Sequence, residues 1–453
     1  MARKRVLKFG GAALRDGPAI ERVTRIVREH GGDCPVLVVS AHEGITDMLE
    51  NAARGAAQGE SEFSDLRVRH RSILSQLGLD PELCDRHHRQ LAQLLGQIAR
   101  KEQLPLRDLD LVLSFGERIS ARIVARALEC AGQPATPVDA YDLGFRTDSN
   151  HGSARPLAGI GASIREALAD VPGIPIVTGF LAHDSDGNLT TLGRNGSDLT
   201  ASVLAEALAP ASPDSVEIQF WKCVPGILTA DPDLVPDARR IPELTYEEAA
   251  ECAFHGSRIL HPASVAPAIR GEVAVRVLDV RNPEAPGTRF VTTHPGPERT
   301  GPLAIATKSG VVRLDVVVEA PGDRSEIARR LFATLDEFGV LHGLVSADGS
   351  RLGAVVDPGP GLPGALDALE RLGVRVHLER DLAVVAVVGS HLPGHVAAGV
   401  EAYDALRLSG VDVVGAFLGD RERSQAFLLR DDRLAEAART LHAALLPTAR
   451  GSV

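Results

Sequence analysis

Through the first two-thirds of the chain, short uninterrupted apolar runs alternate with longer amphipathic stretches, and this alternation limits the fold more than any other feature. Residues 6–8, 35–40, 174–180, 215–221 and 273–277 read as strands. Residues 19–30 and 197–207 read as helices, and helical patterning dominates from 81 to 131. Strands that are apolar throughout, rather than at every second residue, belong to parallel sheets covered on both faces. The expectation is therefore an α/β fold, an αβα sandwich with a mostly parallel central sheet. Such sheets bind ligands at the carboxyl ends of their strands, which singles out the loops after Lys8, Ser40 and Phe180.

Two of those loops are rich in glycine. Lys8-Phe9-Gly10-Gly11 closes the first strand with an ammonium and two residues whose backbone can approach an anion closely. It has neither the spacing of a Walker A loop nor that of a dinucleotide fingerprint. Gly193-Arg194-Asn195-Gly196-Ser197-Asp198 stands between a strand and a helix start, where the helix dipole favours an anion. Arg194 offers a planar fork for carboxylate or phosphate, and Asp198 in the first turn can orient a cation. Gly-Ser-Asp at a helix start is also an ordinary N-cap, so the second loop gains weight only beside the first.

Lysine usage adds to this. Among 49 basic residues only five are lysines: Lys4, Lys8, Lys101, Lys222 and Lys308. Where arginine serves elsewhere, a retained lysine points to a need for a compact charge, and Lys8 and Lys222 fall in segments already of interest. His87-His88 read as part of a solvated helix face.

The length of 453 residues allows two or three domains. A net charge of −11 argues against non-specific nucleic-acid binding. No apolar run approaches the ~20 residues of a membrane span, and strand-like sequence from the start leaves no room for a signal peptide. The five cysteines lack metal-type spacing, so reduced thiols in a cytoplasm are expected. A stretch rich in Pro and Gly at 292–301 marks a boundary, giving residues 1–298 and 299–453. Beyond it come two β-α-β patterns, at 311–356 and 382–445, with the second domain of the pair at about 382–447.

Several motifs together resemble the aspartate kinases, a branch of the amino acid kinase family. Lys8-Phe9-Gly10-Gly11 is similar to the opening motif, and Val38-Val39-Ser40-Ala41-His42-Glu43-Gly44-Ile45-Thr46-Asp47 to the second. Ser114-Phe115-Gly116-Glu117-Arg118 is similar to the third, and Gly193-Arg194-Asn195-Gly196-Ser197-Asp198 to the fourth. The segment from Trp221 to Pro232 resembles the nucleotide segment, and Gly256-Ser257-Arg258-Ile259-Leu260-His261-Pro262 the one after it. The tail resembles paired ACT regulatory domains of ferredoxin-like (βαββαβ) fold.

The resemblance implies phosphoryl transfer from ATP, with Mg2+, to the side-chain carboxylate of aspartate. It implies that Lys8 and Asp198 are catalytic, Lys8 touching the phosphates and Asp198 orienting it. Gly10 and Gly11 would donate backbone N–H groups to the phosphates. Arg194 would clamp the α-carboxylate, Glu117 accept the α-ammonium, and Ser40, Thr46 and Ser197 line the substrate pocket. Lys222, Cys223, Leu228, Asp233 and Arg258 fall at nucleotide-facing positions. No metal-ligand cluster of the protein's own is visible. The resemblance further implies a homodimer or larger homo-oligomer with amino-acid effectors, usually lysine or threonine. The segments 346–350 and 419–423 stand at the effector loops.

The chain departs from the family pattern at several positions. Ala12 and Ala13 replace Thr-Ser, Cys223 an aspartate, Asp233 an arginine, Arg258 a lysine and Asn195 a glycine. The acceptor side is thus kept and the nucleotide side altered. Three readings follow: a kinase of aspartate, a kinase of an aspartate analogue in a specialised pathway, or a weakly active or inactive kinase-like regulatory subunit that binds an amino acid.

Overall fold

The computed structural model describes residues 4–32, 35–60, 63–209, 216–257, 260, 262–293, 301–317, 324–347, 351–390, 395–419 and 423–446. The chain packs into two compact units. The first comprises Met1–Ile227, Arg240–Tyr246 and Leu260–Thr293, and the second Leu228–Arg239, Glu247–Ile259 and His294–Val453.

Ten strands belong to the first unit: β1 (Lys4–Phe9), β2 (Val36–Val39), β3 (Ala135–Val138), β4 (Ile174–Thr178), β5 (Leu181–His183), β6 (Leu189–Thr191), β7 (Val216–Lys222), β8 (Glu243–Thr245), β9 (Ala274–Asp279) and β10 (Thr288–Val291). Eight of them form one sheet in the order β3-β4-β2-β1-β7-β9-β10-β8, while β5 and β6 make a separate hairpin. Every neighbouring pair in the large sheet is parallel except β9–β10. The expected mostly parallel α/β sheet is therefore present. Its central strands are buried along their length, as in the all-buried run Val36–Val39. Helices such as Gly17–His30 and Leu106–Cys130 add Ile20, Val23, Ile119 and Val124 to that core.

The topology decides where a ligand can sit. After β1 the chain first adds β2 on one side and later β7 on the other. The loops leaving these strands diverge, which opens a crevice at their carboxyl ends. The helical stretch expected over 81–131 is two helices, Asp85–Lys101 and Leu106–Cys130. The break falls at Glu102, left-handed at φ 51°, and at Pro105, which has no N–H to continue a helix.

The second unit holds β11 (Gly301–Val317), β12 (His342–Ala347), β13 (Arg351–Val356), β14 (Val376–Ser390), β15 (Val413–Leu418) and β16 (Ser424–Arg430). They form an antiparallel sheet in the order β12-β13-β11-β14-β16-β15. The two βα patterns expected here are interleaved rather than sequential. β11 and β14 are long enough to serve both: Arg313–Val316 pairs with the start of β14, and Gly301–Lys308 with its end. The register shifts between Lys308 and Arg313 divide the two halves. Helices Arg324–Glu337 and Leu362–Arg371 cover one half, through Leu331, Leu335 and Leu369 on Leu314 and Val316. Helices His395–Leu408 and Leu434–Leu445 cover the other, through Leu406 and Leu441 on Val385 and Val387.

Candidate active site

Four adjacent strands of the first sheet end at one cleft of about 480 Å3. β1 delivers Lys8, Gly10 and Gly11; β2 delivers Ser40 to Gly44, with Thr46 following in the first turn of helix Ile45–Ala57; β4 leads to Phe180; β7 delivers Trp221, Lys222 and Cys223. Helix Gly196–Leu208 points its N-terminus at the same space with Ser197 and Asp198 in its first turn. Its close approach depends on Gly179, since a Cβ there would lie 2.4 Å from Ser197 Cβ. Glu117 enters from the middle of helix Leu106–Cys130.

Asp198 is the electrostatic centre. Its Oδ1 lies 2.6 Å from Lys8 Nζ and its Oδ2 2.8 Å from Lys222 Nζ. Burial by itself would raise the carboxyl pKa, but the two ammonium groups outweigh it and hold the pKa below the usual value. Lys8 is pressed the other way: burial, reinforced by Lys222, lowers its pKa against the pull of Asp198.

Glu117 meets different surroundings. It is 4% exposed, and only Oε1 has a protein partner, the Ala41 N–H at 3.1 Å. Oε2 is buried with no partner among the described residues. Burial raises the carboxyl pKa to about 7 despite that hydrogen bond and the nearby Lys8 charge. A desolvated acceptor facing a cleft invites a cationic donor from a ligand.

The loop before helix Gly196–Leu208 is held in unusual backbone. Phe180 and Asn195 have φ of 70° and 58°, and Gly193 has φ 70°. Phe180 stays there because its N–H donates to Thr200 Oγ1 and its carbonyl accepts from the Leu192 N–H. A left-handed phenylalanine is costly, and such strain collects at functional sites. A buried hub supports the same loop: Asp110 accepts from Thr191 Oγ1 at 2.5 Å, from the Gly152 N–H and from His151 Nδ1.

The cleft thus gathers ten of the residues expected from sequence: Lys8, Gly10, Gly11, Ser40, Thr46, Glu117, Ser197, Asp198, Lys222 and Cys223. Arg194 is exposed and does not line it, although its neighbours Gly193 and Asn195 do. Leu228 and Asp233 are not among the lining residues and pack with the second unit. Arg258 lies outside the described residues, as do 348–350 and 420–422 of the expected effector loops.

Sequence reasoning gave no role to His42, Phe180 or the Asp110 hub. A single histidine, a strand-end phenylalanine and a helical aspartate carry no local signal. It also misplaced His88, which is 4% exposed and within 3.0 Å of His70 Nδ1, because helix Ser64–Gln76 covers the face expected to be solvated. Among the described residues no helix is long and apolar enough to cross a membrane.

The sequence profile of the amino acid kinase family matches residues 3–279, and the chain belongs to that family. It is a kinase, and relatives that it matches along nearly its whole length include aspartokinases. Chloroplastic aspartokinase 1 of Arabidopsis thaliana is 31% identical over 96% of this chain and 79% of that protein. Lysine-sensitive aspartokinase 3 of Escherichia coli (strain K12) is 29% identical over 97% of this chain and 98% of that protein. The solved structure of E. coli aspartokinase III in complex with aspartate and ADP, in its R-state, superposes with a TM-score of 0.84 at 28% identity, covering 98% and 99% of the two chains.

Proposed function

We infer that this chain is an aspartate kinase, transferring the γ-phosphoryl group of ATP to the side-chain carboxylate of L-aspartate to give 4-phospho-L-aspartate and ADP. The observation that carries the reading is Asp198 holding Lys8 and Lys222 on its two oxygens in the same cleft as Glu117 Oε2, which has no partner among the described residues.

The acceptor carboxylate has a pKa of about 4 and is ionised at neutral pH. One of its oxygens attacks the γ-phosphorus while the bond to the bridging oxygen breaks, and no proton has to be removed. Catalysis then rests on alignment and charge neutralisation. Lys8 and Lys222 supply positive charge beside the phosphates, and the Gly10 and Gly11 amides supply fixed dipoles. The two ammonium groups hold the Asp198 pKa low, which makes its carboxylate a poor proton acceptor, so its part is to aim both lysines. Glu117 Oε2 receives the α-ammonium of aspartate, with Ser40, Thr46 and Ser197 alongside. Arg194, exposed on its loop, is assigned to the α-carboxylate.

Mg2+, when it enters with the triphosphate, would spread the negative charge of the phosphates. Leu228, Asp233 and Arg258 remain assigned to the nucleotide on the family pattern.

We assign catalysis to residues 1–298 and regulation to 299–453, read as paired ACT domains. The interleaved βαββαβ halves of the second unit support this, as does the solved complex of the E. coli enzyme with lysine and aspartate at a TM-score of 0.75. The edge strands β12 and β15 carry exposed Val345 and Leu418, which favours pairing of copies edge to edge and an effector site there. The scattered cysteines favour work in the cytoplasm.

ATP-dependent hydroxamate formation tests the reading, with aspartate and a panel of its analogues as acceptors. Turnover is expected with aspartate. Amino-acid binding without product from any acceptor would overturn it.

A further inference from the structure

Two walls of the cleft come from separate parts of the chain, the turn Gly11–Leu14 and the loop at 40–46. They touch at Gly11, where a Cβ would lie 2.9 Å from the Ala41 carbonyl oxygen. They are tied again by His42, whose Nδ1 lies 2.7 Å from the Leu14 carbonyl oxygen. A carbonyl only accepts, so His42 carries its proton on Nδ1. The ring lines the cleft and is 1% exposed. Its Nε2 finds no partner among the described residues, so the Leu14 bond is the ring's one polar attachment.

The residue before it, Ala41, gives its N–H to Glu117. One dipeptide therefore joins the carboxylate of the acceptor side to the turn that carries Gly10 and Gly11. The ring is braced from behind. His70 meets it edge-on at 5.9 Å and in turn stacks on His88 at 5.2 Å. Leucine would fill such a space at lower cost, because buried polar rings must be satisfied. Three imidazoles in a row indicate that the orientation of the first matters.

We propose that His42 is a positioning residue, whose Nδ1–H bond to Leu14 sets the phosphate-facing turn against the Ala41–Glu117 pair so that donor and acceptor lie in line. The proposal rests on the kinase reading above. Misplacement of reacting groups by about 1 Å costs roughly 100-fold in rate, and a partial slip of this bond falls below that.

The test compares three variants of the full chain. His42→Asn can place an N–H close to the Nδ1 position; His42→Gln carries its N–H farther out; His42→Leu has none. We expect kcat to fall about 30-fold in the Leu and Gln variants, with KM for aspartate and ATP within about threefold. The Asn variant should recover to within about fivefold of the parent rate. Melting temperatures should not separate Asn from Gln. If the Leu variant does not fold, the Asn–Gln pair decides. Equal losses in Asn and Gln, or a parent-like rate in Gln, would overturn the proposal. Parent turnover is measured first, because its absence overturns the kinase reading instead. In that case calorimetry of ADP binding with and without aspartate decides: coupling between the two ligands must survive in Asn and vanish in Gln.

Discussion

Two carboxylates line the same cleft, are buried to nearly the same degree, and are driven in opposite directions. Asp198 is 2% exposed and Glu117 4%. Burial penalises the charge of both. Asp198 answers with two ammonium groups and stays ionised. Glu117 has one backbone N–H and a more distant lysine, and its pKa climbs to about 7. Partners, rather than depth, decide the charge state. On the proposed reading, the satisfied carboxylate belongs to the fixed machinery and the other is a socket for a cation that the substrate brings.

The contrast predicts a sharp difference between the two sides. Removing the charge that Asp198 aims, by Lys8→Ala, should lower kcat about 1000-fold, the cost typical of losing a group that stabilises the transition state. The fold should survive, because Lys222 still pairs with Asp198. Unchanged steady-state turnover would remove Lys8 from the mechanism.

Glu117→Gln should act on KM instead. Loss of a charge-assisted bond worth about 2–3 kcal/mol raises KM for aspartate roughly 30- to 160-fold while KM for ATP stays within a few-fold. Stability should move the other way. A pKa raised in the folded state means stability that is full below the unfolded value near 4.5 and lost as pH rises through about 7. At pH 8 without ligand the parent therefore carries a penalty on the order of 3 kcal/mol that glutamine lacks. A variant that melts no higher than the parent at pH 8 would refute the socket.

Lys222→Met should raise KM for ATP about tenfold, less than the Lys8 effect on rate, because Lys222 is the more exposed of the two lysines. The smallest effect is the pH profile. As pH falls through about 7, Glu117 takes up a proton and kcat/KM for aspartate should decline with an apparent pKa near that value, whereas kcat at saturating aspartate should stay level. Equal acid limbs in both parameters would place the titrating group elsewhere.

Much of the site was legible in sequence because its parts are local. Two glycines after an apolar strand, and Gly-Ser-Asp before a helix, each describe a strand end or a helix start whose backbone geometry follows from those residues. The lysine-poor composition pointed to Lys8 and Lys222. Other parts could not be read. β3 and the β5–β6 hairpin are too short to show a period. The interleaving of β11 and β14 depends on pairing between strands roughly 75 residues apart, read from their register. His42 and His88 look unremarkable until helix Ser64–Gln76 brings His70 against both.

By itself the sequence determined the class of fold and the inventory of charges, because hydrophobic period and residue identity are properties of neighbours along the chain. Only the tertiary structure decided what those charges do. Ionisation depends on desolvation and on groups within a few ångströms, and it is folding that sets Asp198 between two ammonium groups while leaving one oxygen of Glu117 without a partner among the described residues.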